Sequence, residues 1–253
     1  MPGLVPGIHD LSKHQRRGWP GTSPAMTEGA IVDLMTMTQH ARRLAPEPQP
    51  DCPLCPRLVA FRKKNRAAHP DWFNAAVPSF GKDSARLLIV GLAPGLKGAN
   101  RTGRPFLGDY AGELLYRTLL KTGLASGRHD PELPEALQLV DCMITNAVRC
   151  VPPANRPEAK EIANCRQFLA PRIASLPKLR VILALGRIAH EATLDALGLK
   201  RRGYAFAHGA RHELPGGVVL FDSYHCSRQN TNTGRLTPSM FERVLRDAAA
   251  ALG

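Results

Sequence analysis

The chain has 253 residues, of which 43% are hydrophobic, so it can bury one sizeable core in a domain of ordinary size. It has no run near the ~20 apolar residues of a membrane span, and its first residues lack the apolar stretch of a signal peptide. We therefore expect a cytoplasmic protein. The formal net charge of +13 favours polyanionic partners such as nucleic acid, although a generally basic surface would show the same charge.

The first 45 residues are predicted to lie outside the folded domain, which we place at residues 46–253. Residues 1–25 mix Pro, Gly, His and basic residues without periodicity, a composition typical of disorder. Apolar residues at helical spacing indicate a helix over Thr27–Leu44, which the prolines from Pro46 onward must end.

Four short apolar segments have the composition of buried strands. Near-continuous Val, Ile and Leu over five or six residues is typical of parallel strands that helices cover on both faces. The predicted strands are Arg86–Gly91, Met143–Val148, Arg180–Gly186 and Val218–Tyr224. The predicted helices are Glu113–Thr122, Pro157–Leu169, Ile188–Leu197 and Pro238–Leu252. This alternation predicts an α/β fold of three layers, α/β/α, that binds ligands beyond the carboxyl ends of the strands.

The first predicted strand runs into a glycine-rich segment, Gly91–Asp109. Its glycines let backbone N–H groups approach a ligand and let the chain turn sharply. The segment has neither the Gly-Lys-Ser/Thr triplet of a P-loop nor the G-x-G-x-x-G of a dinucleotide fold. A solvated surface loop would look similar, but long loops in compact domains usually carry function.

Two further strand ends deliver polar side chains. Asn146 lies near the end of the second strand, where its amide can both donate to and accept from a base edge. As a lone residue it would more often be a turn former or a satisfied buried amide. His225 follows the fourth strand and leads a polar run with two arginines, which suits phosphate and base contacts. Taken alone, it would be interpreted as a structural histidine.

Six cysteines in a cytoplasmic chain are more typical of thiols or metal ligands than of disulfides. The candidate metal ligands are Cys52, Cys55, Cys150 and Cys165. Four thiolates suit either tetrahedral zinc or a four-iron cluster, and the spacing does not distinguish the two. We interpret Cys142 as a buried thiol and Cys226 as a residue that flanks the site.

Three segments together resemble the uracil-DNA glycosylase superfamily, and within it the family 5 iron–sulfur branch, also called type B. The segments are Gly91–Asp109, Asn146–Pro153 and His225–Asn230. The resemblance covers about residues 50–250 and includes the four cysteines in the expected order. It implies a four-stranded parallel sheet in the order 2-1-3-4, and it favours one 4Fe-4S cluster over zinc.

The resemblance also implies an activity. A monofunctional DNA-repair enzyme of this kind hydrolyses the N-glycosidic bond of a flipped-out deaminated base and leaves an abasic site. We expect uracil as a substrate. We also expect hypoxanthine and xanthine, because the first motif resembles the form that the family associates with a broad substrate range. The partner is then DNA containing deaminated bases. We expect a monomer with no membrane association, located at the nucleoid in a prokaryote. The alternatives are a non-catalytic iron–sulfur or zinc nucleic-acid-binding protein and a thiol redox sensor.

The residues that the family uses have counterparts here. By resemblance, His225 donates to the base carbonyl, Asn146 holds the base edge, and Asp109 orients water and stabilises the cationic sugar. Phe106 stacks on the base. The predicted base-binding residues are Gly91, Leu92, Ala93, Pro94, Gly95, Phe106 and Asn146. The predicted DNA contacts are Asn100, Arg101, Arg104, Arg149, Ser227, Arg228, Gln229 and Arg235.

Two positions depart from the superfamily pattern. Ala93 stands where other branches place a polar residue that orients water, which makes Asp109 the candidate replacement. Asp109 would otherwise only cap the helix predicted to begin near Ala111. Cys226 stands where proline usually follows the histidine, so the sequence lacks the ring that would hold His225 rigidly.

Overall fold

The structure, a computed structural model, describes residues 46–253. The predicted disorder and the predicted helix within residues 1–45 therefore lie outside the described residues. The strands are β1 Phe80–Gly81, β2 Leu87–Gly91, β3 Ala125–Gly127, β4 Leu137–Leu139, β5 Cys142–Asn146, β6 Val181–Leu185, β7 Arg211–Glu213 and β8 Val219–Ser223. The helices are α1 Pro56–Ala68, α2 Ala99–Thr102, α3 Tyr110–Lys121, α4 Ala159–Ala174, α5 Arg187–Ala196, α6 Arg228–Asn232 and α7 Pro238–Ala250.

The central sheet has the strand order β1-β5-β2-β6-β8-β7. Strands β5, β2, β6 and β8 are parallel, which confirms the predicted order 2-1-3-4. Every residue of these four strands is buried, as their continuous apolar sequences require. Gly91 pairs with Asn146 and Leu185 with Ser223, so the carboxyl ends of the strands meet at one edge.

Helices cover both faces of this sheet. Along β2, Leu87 and Ile89 belong to an apolar cluster that includes residues of α3 and α7. Leu88 and Val90 point the other way, into a cluster that includes residues of α4 and α5. The three-layer α/β/α prediction is confirmed. Among residues 46–253, no helix is long and apolar enough to cross a bilayer.

The elements missed by the predictions are short or weakly patterned. The edge strands β1 and β7, which pair antiparallel, have two and three residues. Helix α1 buries only Leu58, Arg62 and Asn65, so it carries no apolar stripe. Helix α4 begins after a capping box of Glu158 and Glu161 rather than at a proline.

Candidate active site

A cleft of about 530 Å³ opens at the carboxyl ends of the parallel strands. It receives residues from the glycine-rich segment after β2, from the end of β5 and from the segment after β8. Its lining is Leu92, Ala93, Gly95, Phe106, Asp109, Tyr110, Ala111, Asn146, Ala154, Asn155, Arg156, His225, Ser227, Arg228 and Gln229. The position agrees with the rule that open α/β sheets bind ligands at this edge.

Phe106 and Asn146 lie together at the inner end of the cleft. A Cβ on Gly91 would lie 2.4 Å from Asn146 Oδ1 and 2.7 Å from Phe106 Cζ, so only glycine allows both side chains to approach. Phe106 holds a left-handed backbone with φ of 63°, and a Cβ on Gly112 would collide with its carbonyl oxygen. The local backbone therefore aims this aromatic ring into the cleft.

The side-chain oxygen of Asn146 is buried and has no hydrogen-bond partner in the part of the chain that the structure describes. Among the five such side-chain atoms in residues 46–253, it is the one that belongs to a residue lining the cleft. A buried polar atom without a partner costs roughly 1–3 kcal/mol. An incoming ligand that donates to this oxygen would remove that cost.

Asp109 occupies the N-cap position of α3, but its side chain makes no cap hydrogen bond there. Its carboxylate instead accepts from the backbone N–H groups of Gly95 and Ala99. A Cβ on Gly98 would lie 2.0 Å from the Asp109 carboxyl carbon, so the glycines form a cradle around the carboxylate. Burial raises the pKa of Asp109 to about 6. The Asp109 carboxylate therefore faces the cleft and does not cap α3.

His225 stands across the cleft from Phe106, with 6.0 Å between the ring centroids. Burial lowers the pKa of His225 to about 4, so the ring is neutral at neutral pH and carries hydrogen on one nitrogen. Within residues 46–253 no group is hydrogen-bonded to this imidazole, whereas its backbone oxygen accepts from Asn230 Nδ2 at 2.8 Å. The ring is therefore available to a ligand.

One wall of the cleft was missed by sequence reasoning. It consists of Ala154, Asn155 and Arg156, which follow β5 and are exposed. Ala154 and Asn155 are consecutive left-handed residues with φ of 53° and 55°. The Pro152-Pro153 pair ahead of them signalled an irregular turn, but nothing in the sequence showed that the turn reaches the cleft.

The polar run after His225 forms the outer rim. Ser227 caps α6 by accepting from the Asn230 N–H, and Gln229 lines the cleft beside it. Arg228 lies over the ring of Tyr110, 4.9 Å from its centroid, and Arg235 lies over Tyr224 at 4.5 Å. These arginines are exposed, and neither forms a salt bridge with a carboxylate in the described residues.

Three of the predicted DNA contacts are held by the protein instead. Arg149 is 1% exposed, and its guanidinium donates to Glu47 at 2.8 Å, so it cannot reach a phosphate. Asn100 is 1% exposed and donates to Asn74. Arg104 lies over the Phe80 ring and donates to the Pro134 carbonyl. The local sequence around these residues does not show which way their side chains point.

The remaining predicted residues lie at or behind the lining. Arg101 is half-buried on α2 and donates to the Lys97 carbonyl. Gly91 and Pro94 are buried behind the cleft, where Gly91 makes room for the lining residues. Cys142 and Cys226 are both buried in the core cluster, so Cys226 flanks His225 from below rather than facing the cleft.

The four candidate metal ligands come together on the other side of Ala93. Cys55, Cys150 and Cys165 belong to one buried cluster, with Cys52 packed against it, and none forms a disulfide. N–H groups point at the sulfurs: Arg62 donates to Cys150 and Asn164 to Cys55, each at 3.5 Å. Burial raises the pKa of the Cys150 thiol to about 11, the opposite of what a thiol redox sensor needs.

Comparison with known proteins identifies the family. A model of the uracil DNA glycosylase superfamily matches residues 78–249. The chain belongs to this superfamily. It is 49% identical over 210 residues to a type-5 uracil-DNA glycosylase of Thermus thermophilus, a match that covers 80% of this chain and 94% of that protein.

Further relatives place the chain in the type-5 group of the superfamily. A type-5 uracil-DNA glycosylase of Mycobacterium leprae is 40% identical over 210 residues, covering 80% of this chain and 92% of that protein. A type-4 uracil-DNA glycosylase of Saccharolobus solfataricus is 32% identical over 178 residues, covering 69% and 70%. The predicted family is confirmed.

Proposed function

We propose that this chain is a monofunctional DNA glycosylase that hydrolyses the N-glycosidic bond of uracil in DNA and leaves an abasic site. The observation that supports this proposal is that Asp109, Asn146 and His225 line one cleft, where the Asn146 oxygen has no partner among residues 46–253. A base inside a duplex cannot reach such a cleft, so the nucleotide must flip out of the helix. The type-5 relatives that match most of the chain support this reaction.

The inner part of the cleft binds the base. The Phe106 ring stacks on the flipped base, and the Asn146 amide meets its hydrogen-bonding edge. The neutral imidazole of His225 donates to a base carbonyl, where negative charge grows as the bond breaks. Each preorganised donor of this kind contributes about 3 kcal/mol to the transition state.

Asp109 acts on the sugar side. When the bond between C1′ and the base nitrogen breaks, its electron pair leaves with the base and positive charge remains on the sugar. The ionised Asp109 carboxylate stabilises that charge and orients a water molecule. The water oxygen then bonds to C1′, and its proton passes to the carboxylate or to solvent.

We extend the proposal to hypoxanthine and xanthine. Small side chains line the cleft at Ala93, Ala111 and Ala154, so no bulky group narrows it to a pyrimidine at these positions. On the rim, Arg228 and Arg235 contact phosphates, and the Ser227 hydroxyl donates to the phosphate of the flipped nucleotide. Arg101 and Gln229 are the remaining candidates for backbone contacts.

We further propose that Cys52, Cys55, Cys150 and Cys165 hold one 4Fe-4S cluster. The donor set fits because three buried, unbridged cysteines cluster together with Cys52 packed against them, and N–H groups are directed at two of the sulfurs. Bound there, the cluster would serve as a structural cross-link, since the hydrolysis needs no electron transfer.

The cross-link would brace the DNA-facing wall. Cys150 and Cys165 flank the segment that contains the wall residues, and Arg57 donates to the Arg156 carbonyl at 3.1 Å. Purified protein should contain about four iron atoms per chain and absorb visible light. Colourless protein with one zinc ion would overturn the cluster proposal and leave the glycosylase proposal intact.

The activity is tested with end-labelled oligonucleotides that contain one uracil, hypoxanthine or xanthine, followed by alkaline cleavage. We expect a strand break at uracil, and breaks at the two purines if the wider substrate range is correct. An otherwise identical oligonucleotide with thymine is the control. Absence of cleavage at all three damaged bases, with iron-loaded protein, would contradict the proposal.

A further inference from the structure

The support of His225 comes from a side chain outside the cleft. We propose that His208, in the loop before β7, is a positioning residue that holds the backbone N–H of Tyr224 and thereby fixes the direction of the His225 ring. This inference rests on the catalytic role proposed for His225. It also accounts for the missing proline, because it supplies another restraint on the same stretch of backbone.

The pairing of β7 with β8 explains why a side chain is needed at this point. Near the end of β8, the Asp222 N–H donates to the Ala210 carbonyl at 3.0 Å, and the Gly209 N–H donates to the Asp222 carbonyl at 2.8 Å. Backbone N–H groups alternate in direction along a strand, so the Tyr224 N–H points to the same side as that of Asp222. Gly209, with φ of 77°, turns the neighbouring chain away, and the next acceptor is His208 Nδ1, 3.2 Å from the Tyr224 nitrogen.

The ring of His208 is held in the orientation that this bond requires. It stacks on the Tyr224 ring, with centroids 5.1 Å apart and planes inclined by 21°. Arg235 lies over the same tyrosine. Burial lowers the pKa of His208, which keeps the ring neutral and leaves Nδ1 free to accept. The imidazole therefore adds one hydrogen bond to the β7–β8 pairing, at the residue directly before His225.

The backbone that follows His225 is restrained as well. Asn230 Nδ2 donates to the His225 carbonyl at 2.8 Å, and Ser227 caps the short helix that carries Asn230. Cys226 is fully buried in the core cluster, so the residue after the histidine is anchored by packing. His208 thus holds the residue before His225, while Asn230 and Cys226 hold the backbone that follows it.

Two variants of His208 separate the hydrogen bond from the bulk of the ring. His208→Leu removes the acceptor, whereas His208→Asn places Oδ1 close to the position of Nδ1 and keeps an acceptor for the Tyr224 N–H. The matched control is His129→Leu, because His129 stacks on Tyr116 with similar geometry, 5.0 Å and 24°, away from the strand end. Single-turnover uracil excision, affinity for DNA with an abasic analogue, and melting temperature are measured for each.

We expect His208→Leu to excise uracil about 10- to 100-fold more slowly, since small misplacements of a reacting group cost up to about 100-fold. His208→Asn should recover most of the rate, and His129→Leu should keep it. DNA affinity should change less than about twofold in all three. A full rate in His208→Leu, or an equal loss in His208→Asn, would overturn the inference.

His225→Ala, measured beside these variants, separates the role proposed for His225 from the role proposed for His208. If His225→Ala excises uracil at the wild-type rate, the proposed role of His225 is wrong and the positioning inference falls with it. If His225→Ala is slow and His208→Leu is not, only the positioning inference is wrong. If His208→Leu does not fold, the excision rate of His208→Asn tests the inference instead. A His208→Asn rate as low as that of His225→Ala would contradict it, because Asn keeps an acceptor for the Tyr224 N–H.

Discussion

Asp222 and Asp109 both lie near the carboxyl ends of the parallel strands, and the surroundings of the two carboxylates differ. Asp222 is fully buried and lies between two imidazoles, 2.7 Å from His190 Nδ1 and 3.0 Å from His212 Nε2. Asp109 accepts only from backbone N–H groups, and no salt bridge joins it to a cation within residues 46–253. A buried charge normally needs a charged partner. Asp222 has protein partners, whereas Asp109 faces a cleft in which a cationic sugar would be its partner.

The arginines divide in the same way. Arg149 is buried against Glu47, and together with Arg172 it ties Glu47, near the start of the described chain, to the core. Arg228 is exposed and lies over Tyr110, which restricts its motion without neutralising its charge. We infer that side chains bonded to protein partners stabilise the fold, and we propose that those without such partners contact DNA.

The largest effect expected from this contrast is on catalysis. Asp109→Ala should slow single-turnover excision about 10²- to 10⁴-fold, because it removes the group that we propose orients water and offsets the sugar charge. DNA affinity should be retained. Asp247→Ala, an exposed aspartate on α7, is the control. An undiminished rate for Asp109→Ala would eliminate the proposed role.

The second effect is on stability. Asp222→Asn should lower the free energy of unfolding by about 1–3 kcal/mol, because an amide NH₂ group cannot accept from a buried imidazole N–H and leaves that donor without a partner. Urea unfolding followed by circular dichroism measures it. The contrast between the two carboxylates predicts a much smaller loss for Asp109→Asn, and an equal loss in both variants would remove the distinction.

A third effect is the pH dependence of excision. The proposed mechanism requires Asp109 to be ionised. Because burial raises the pKa of Asp109 to about 6, kcat/KM should rise with pH through about 6 and level off above that value. Below that value it should fall about tenfold per pH unit. His225, with its pKa lowered to about 4, stays neutral throughout this range. In Asp109→Asn the step near pH 6 should disappear, and its persistence would assign the step to another group.

The smallest effect concerns the rim. Arg228→Ala should weaken DNA binding at low salt and reduce the slope of log affinity against log salt by about 1, the loss of one phosphate contact. Arg246→Ala is the control, because Arg246 is paired with Glu242 on α7. An unchanged slope for Arg228→Ala would mean that this arginine does not contact a phosphate.

Much of the fold was predictable from local sequence. Continuous apolar runs mark buried parallel strands, and amphipathic spacing marks the helices that cover them, so α3, α5 and α7 begin within about three residues of their predicted starts. Elements that bury little or consist of a few paired residues were missed, because their formation depends on neighbours far along the chain. Helix α1 and the edge strands β1 and β7 are of this kind.

The sequence by itself indicated which residues could carry the chemistry, and the order of its motifs identified the family. Only the tertiary structure decided which of these side chains face the cleft and which are held by the protein. The sequence suggested that both Asp109 and Arg149 could contact a ligand. In the structure the glycine cradle leaves Asp109 facing the cleft, whereas Arg149 is buried and donates to Glu47. The reason is physical: the direction of a side chain depends on long-range packing and hydrogen bonding, which residue type and spacing do not encode.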